Sequence, residues 1–219
     1  MFSMAEYTEK YECPDCGDKY KMLGSHWRGD CSPPRMSERQ REIATGVFLG
    51  DGTMMGPENS RFFRVAMTNK EFLQWFDKQF HVLTTGVRKG QTPEYQASAQ
   101  RKSKGGSYDP ENYKQQWYVS SRSVESFQQF DSWYSGNGGK KQFPKDLTLT
   151  SLMAKMWYVT DGWLDDNNGP NARPYAKISC MNEIQYGDGG KNIVRMFEEQ
   201  GFTAHTDEKD LLLYANETE

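Results

Sequence analysis

"TGVFLGDGTM", residues 45–54, decides how this chain is read. An apolar run broken by small residues ends on a carboxylate, Asp51, set between Gly50 and Gly52. Upstream, Ser37 with Gln40 three residues later is a capping-box signal, so a helix is predicted from Ser37 to Asp51 with Ile43, Val47 and Phe48 on its apolar side. Gly46 and Gly50 fall one turn apart on that helix. Each glycine costs a helix about 1 kcal/mol relative to alanine, so two at this spacing call for another backbone passing very near. An acid at a helix C-terminus is electrostatically poor because the macrodipole is negative there, which makes a purely structural role for Asp51 unattractive.

A second stretch ends the same way. "LTSLMAKMWYVTDGWL" predicts a helix from about Thr150 to Asp161 and Gly162, and aligning the acids pairs Asp51-Gly52 with Asp161-Gly162. The likeness continues downstream, where "FRVAMTN" (63–69) answers "AKISCMN" (176–182) and Arg64 falls opposite Lys177. In both runs apolar residues alternate with polar ones: Phe63, Val65 and Met67 in the first, Ala176, Ile178 and Cys180 in the second. Each is therefore predicted to be a strand with one apolar face. Helices are predicted next, over 68–80 with a Thr68–Glu71 capping box and over 191–200 before Gly201. Strands are predicted at 116–121 and 211–215, and a helix at 123–134. The order is αβαββ, twice, with residues 135–147 as the linker and the second copy stopping before a last helix.

The bulk numbers bound the class. A chain of 219 residues holds one large domain or two small ones. Mean hydropathy is −0.90, and no apolar run approaches the roughly 20 residues of a membrane span, so a soluble protein with no membrane partner is expected. The start, "MFSMAEYTEK", lacks an apolar core before a small-residue cleavage site, giving no support for secretion. A net charge of −3 does not announce a nucleic-acid binder, yet cations cluster locally at Arg88 and Lys89, at Arg101, Lys102 and Lys104, and at Lys140, Lys141 and Lys145. All three clusters read as loops, with solvated surface as their ordinary use.

Three of the four cysteines crowd into residues 13–31. "CPDCGDKYKMLGSHWRGDC" spaces Cys13, Cys16, His26 and Cys31 as C-x2-C-x9-H-x4-C, a set that closes a tetrahedron around Zn²⁺ and leaves no open position, hence a structural site. So short a segment depends on the ion for its folding free energy. A redox C-x-x-C is the weaker alternative, since no βαβ pattern surrounds the pair. Pro33 and Pro34 end this module near residue 35. Trp27, beside His26, either packs the module or faces DNA. Cys180 reads as core, and His81 and His205 have no nucleophile nearby in sequence.

The two acid-ended helices, "ATGVFLGDG" and "WYVTDG", resemble the LAGLIDADG homing endonucleases, particularly their single-chain, two-motif branch. The resemblance spans Ser37 to Tyr214, with the CCHC zinc-finger-like module outside it. It implies an α+β fold of two pseudo-symmetric αββαββα-like halves forming a saddle, with the module at 1–35 and the halves at 36–145 and 146–219. It further implies a monomer with internal pseudo-two-fold symmetry, acting inside the cell on double-stranded DNA. Carried over by position, Asp51 and Asp161 would each bind Mg²⁺ near a scissile phosphate, and Lys177 would be the basic residue near the active-site water. DNA contacts are expected at Arg61, Arg64, Arg88, Lys89, Arg101, Lys102, Lys104, Arg173 and Lys177. Met156 and Thr160 depart from the small residues usual in the motif, so an asymmetric seam is expected, with Met156 facing Gly46. The function implied is site-specific, divalent-metal-dependent cleavage of both strands. The alternative is a non-cleaving nucleic-acid binder of maturase or regulatory type, and retention of both acids favours cleavage.

Overall fold

The computed structural model describes residues 11–29, 31–57, 60–134, 140–165 and 174–214. In chain order, strands β1 (Tyr11–Glu12) and β2 (Lys19–Tyr20) pair as a short hairpin, followed by α1 (Leu23–His26). Next come α2 (Glu38–Leu49), β3 (Thr53–Met55), β4 (Phe62–Met67), α3 (Lys70–Phe80), β5 (Thr84–Lys89), α4 (Pro93–Lys104), β6 (Trp117–Ser121) and α5 (Glu125–Gln128). The remainder is α6 (Ser151–Asp161), β7 (Gly162–Asp165), β8 (Tyr175–Ser179), α7 (Met181–Tyr186), α8 (Lys191–Glu198), β9 (Thr203–Thr206) and β10 (Asp210–Tyr214).

Two four-stranded sheets carry the repeat. Their orders are β3-β4-β6-β5 and β7-β8-β10-β9, so each places its first two strands side by side and adds the last two in reversed order. The fold is mixed helix and sheet with this topology twice, as the resemblance implies. Residue patterning alone yields αβαββ because β3 and β7 are too short, at three and four residues, for alternation to register.

The described residues form two compact units, one drawn from Met1–Ser37 and Met54–Gln128, the other from Glu38–Thr53 and Gln129–Glu219. In the first, Phe63 and Val65 of β4 and Val119 of β6 face α3, whose Leu73, Phe76 and Phe80 are buried. Phe127 of α5 completes this core against Phe63 and Phe80. Asn69, rather than Thr68, caps α3: its side chain accepts the Phe72 N–H at 3.0 Å.

In the second unit α2 packs on α6, and an aromatic series runs from Phe48 through Phe130, Trp133 and Phe143 to Trp157 and Phe197. The helix expected over 123–134 is instead the four-residue α5 and a 3₁₀ turn, Gln129–Tyr134. The two pieces serve different cores, Phe127 one and Phe130 with Trp133 the other, and no single helical face does both. Two basic clusters expected in loops lie in regular structure: Arg88 and Lys89 in β5, and Arg101, Lys102 and Lys104 in the last turn of α4.

Candidate active site and metal-binding residues

Glycine placement brings the two acids together. A Cβ on Gly46 would stand 2.5 Å from the Met153 carbonyl oxygen and 2.6 Å from the Met156 Cβ, so α2 meets α6 backbone to backbone. One turn on, a Cβ on Gly50 would collide with Thr160 Oγ1 and approach the Asp161 Cβ to 3.1 Å. The seam is asymmetric, with glycine hollows on α2 filled by Met156 and Thr160 of α6. Thr160 tolerates this position because its hydroxyl turns back to donate to the Met156 and Trp157 carbonyls of its own helix, both at 3.1 Å.

Asp161 is the last residue of α6, whereas Asp51 sits in the turn just past α2, a helix that ends two residues earlier than expected. The Gly52 N–H closes that turn on the Val47 carbonyl at 2.8 Å. Burial pushes the Asp51 carboxyl up. Asp161 is pushed up to about 7, first by burial and then by the Asp51 charge, with Lys141 partly offsetting both. Burial and a neighbouring carboxylate's charge together raise Asp161, an electrostatic setting that a bound cation would relieve.

The cation already there is Lys141. Its Nζ donates to the carbonyl oxygens of Gly50 at 2.6 Å, Phe48 at 2.7 Å and Gly52 at 3.2 Å, which caps α2 with positive charge and explains how an acid tolerates that helix end. Burial brings the Lys141 ammonium down to about 8 against the opposing fields of Asp161, Asp51 and Glu183. Lys141 is therefore no solvated loop charge, as its basic run had suggested. Glu183, buried on α7, holds the segment two residues on by accepting the Phe143 N–H at 2.8 Å. A cavity of about 190 Å³, lined by Gly50, Lys141, Asp161, Cys180 and Glu183 among others, opens beside Asp161 with room for several waters. The carbonyls of the α2 terminus are taken up by Lys141, and the two carboxylates supply the hard oxygens that fit Mg²⁺.

Lys177 is engaged within its own sheet. It stands on β8, paired with Trp163 and Leu212 on the sheet face opposite Ile178, and its Nζ is bound by Asp165 at 3.1 Å. Tyr175 donates its hydroxyl to the same carboxylate at 3.1 Å. Lys177 also acts on the charges of Asp207 and Asp210.

The register of the other sheet sorts the remaining cations. Arg64 opposes Ser120, to whose hydroxyl its Nε donates at 3.1 Å, and Arg88 opposes Tyr118, over whose ring Arg64 lies at 4.4 Å. These side chains share the face away from Val65 and Val119. Lys89 pairs with Trp117 and points to the other face. Arg61 precedes β4, and Arg173 lies outside the described residues.

In the module, the ligand atoms of Cys13, Cys16, His26 and Cys31 all lie within 4.8 Å of one another, which suits four ligands around one ion at about 2.0–2.3 Å each. These four residues could hold a metal ion. Burial pushes the Cys13 thiol up, but N–H groups of Cys16 and Asp15, with Trp27 and His26, outweigh it and bring it down to about 6. His26 is oriented by the Tyr20 ring, stacked at 3.8 Å. Trp27 is 8% exposed and packs the module.

A family model described as the LAGLIDADG DNA endonuclease family matches residues 41–210. Among solved structures, the homing endonuclease I-WcaI bound to its DNA recognition sequence is similar in fold, with a TM-score of 0.61 at 13% identity over 84% of this chain and 78% of that one. The N-terminal LAGLIDADG domain of DUF199/WhiA aligns at a TM-score of 0.42 and 12% identity, covering 85% of this chain and 79% of that one. No curated protein matches the chain. No helix among the described residues is long and apolar enough to cross a membrane.

Proposed function

We propose that this chain, which belongs to the LAGLIDADG DNA endonuclease family, is a site-specific homing endonuclease that acts as a monomer on double-stranded DNA inside the cell and hydrolyses both strands with a divalent metal. One observation carries the reading: Asp51 and Asp161, 110 positions apart in the chain, meet where α2 and α6 end, brought together by Gly46 and Gly50 on the α2 side against Met156 and Thr160 of α6. Asp51 and Asp161 would hold Mg²⁺ on their carboxylate oxygens. Bound there, the ion supplies Lewis-acid stabilisation of charge on the phosphate and on the attacking and leaving oxygens.

The chain's own residues do the rest. Lys141 fixes the carbonyls that precede and follow Asp51, so the carboxylate is presented from a rigid turn, and it offsets acid–acid repulsion before DNA arrives. Asp161 is half-buried, which limits competing hydration there, while Asp51 stays exposed to incoming ligand. Lys177 and Arg64, at matching positions on polar sheet faces, would contact phosphates or, for Lys177, act beside the attacking water, and Arg61, Arg88 and Arg173 extend those contacts. The module, residues 1–35, would hold Zn²⁺ and lengthen the footprint ahead of the repeats at 36–145 and 146–219.

The test is incubation with a randomised plasmid library and Mg²⁺, comparing the protein with Asp51→Asn and Asp161→Asn. Site-specific staggered cuts lost in both variants support the reading. Cleavage indifferent to either substitution would sink it, and duplex binding without any cleavage would leave the non-cleaving alternative.

A further inference from the structure

The two sheets share a topology but not their closing hairpins. In the second sheet β9 turns into β10 through Asp207, Glu208 and Lys209 alone, whereas in the first β5 reaches β6 through residues 90–116, which include the whole of α4. Helix α4 is not there to fill a core, since Ala97 is its sole buried residue. Its ends are nevertheless built with care. Thr92 caps it by accepting the Tyr95 N–H, Pro93 begins it, and Gly105 closes it at φ 68° by donating to the Arg101 carbonyl at 3.0 Å. Its flank is tied down by Gln96, whose Nε2 donates to the Lys114 carbonyl at 2.8 Å.

What this rigid, exposed helix carries is charge. Arg101, Lys102 and Lys104 are all exposed in its last turn, and Tyr95, 60% exposed, lies on the same side as Lys102 two turns away. Complementing the helix dipole takes a single cation, and Gly105 already closes the helix; three exceed what the helix itself needs. A protein-binding surface would show an apolar centre within a polar rim, which α4 lacks; phosphate oxygens require only positioned cations.

We propose that α4 is a phosphate clamp on duplex DNA, gripping it without reading its sequence and only through the unit that carries the first sheet. The proposal rests on the endonuclease reading. It gives the first unit a grip on DNA that the second, whose sheet closes through a short acidic turn, does not share.

The test uses the full chain carrying Asp51→Asn and Asp161→Asn, so that binding is measured without cleavage, on a fluorescent mixed-sequence duplex over a NaCl series. Adding Arg101→Gln, Lys102→Gln and Lys104→Gln is expected to lower the slope of log K against log salt by about 3 and to weaken binding about 10- to 100-fold at low salt. Lys102→Gln with Lys104→Gln, which spares the bond from Arg101 to the Tyr108 carbonyl, is expected to lower the slope by about 2, and the two arginine replacements to restore it. In the cleaving protein, cut positions are expected to stay the same. An unchanged slope in a parent that binds duplex overturns the clamp alone; a parent that binds no duplex overturns the endonuclease reading with it.

Discussion

The Nζ of Lys141 lies 2.6 Å from the carbonyl oxygen of Gly50, the residue before Asp51. A lysine between the repeats is thereby built into the end of the first motif helix. Removing it takes the donor from three carbonyls and the counter-charge from three acids, Asp51, Asp161 and Glu183. Lys141→Met is expected to destabilise the metal-free protein by about 2 kcal/mol at pH 7.5, a fall of roughly 4–8 °C in Tm. At pH 5 the loss should be smaller, because Asp161 is then protonated and needs no partner. Thermal melts at both pH values check this; equal losses would mean that the carbonyls alone matter.

The seam between α2 and α6 makes a sharper steric prediction. Gly46→Ala places a methyl group 2.5 Å from the Met153 carbonyl oxygen and 2.6 Å from the Met156 Cβ, and backbone cannot yield as a side-chain tip can. A cost of about 2–4 kcal/mol is expected, with Met156→Gly restoring only part because the carbonyl contact persists. Gly24→Ala is the control: nothing lies within 4 Å of its Cβ position, and α1 should be unharmed or stabilised by up to about 1 kcal/mol. Denaturant midpoints of the three variants separate a packing effect from a general intolerance of substitution.

Much of this was legible in the sequence, and the exceptions share a physical cause. Gly46, Gly50 and the terminal acids could be read because close helix approach and an acid at a helix C-terminus are each uncommon and recur at a fixed spacing. The module was legible because four ligands around one ion constrain spacing in the same way. Lys141 was not, since a lysine in a Gly- and Pro-flanked linker carries the same local signature whether it meets solvent or three carbonyls; its role is set by where distant residues 48–52 lie. The reassignment of the α3 cap from Thr68 to Asn69 turns on a backbone choice that two adjacent cap-forming residues leave open. Helix α4 was missed because its composition is polar throughout and its single buried residue generates no periodicity.

The acid cluster fixes how the metal-free protein responds to pH. Asp161, near 3.8 when unfolded, sits at about 7 when folded, and Glu183, near 4.5, is also raised to about 7. Between those values the folded state binds more protons than the unfolded, so stability falls as pH rises from about 4 to 7. Lys141 works on the other limb: lowered from 10.5 to about 8, it leaves the folded state with fewer protons, so stability rises again from about 8 towards 10.5. A minimum between about pH 7 and 8 is expected, with the acid limb flattened in Asp161→Asn. Mg²⁺ should raise Tm most within that minimum and least at pH 5, where protons compete for the carboxylates. Calorimetry with and without the ion measures both; a Tm gain from Mg²⁺ as large at pH 5 as at pH 7.5 would place the ion away from these acids.

The front module should depend on its ion in a way the two repeats do not. Cys13 is fully buried, and besides it only Leu23 and Trp27 are buried among the described residues 11–31, far too little apolar surface to order the segment. The expected zinc content is one equivalent per chain. Cys13→Ser or a chelator should remove the ion and open residues 11–31 to protease while the α2–α6 seam stays folded, since no residue of that seam belongs to the module. Limited proteolysis read by mass spectrometry distinguishes the outcomes. Protection of residues 11–31 that survives complete metal removal would mean that contacts such as the stacking of Arg122 on Tyr11, at 4.7 Å, suffice to hold the module without an ion.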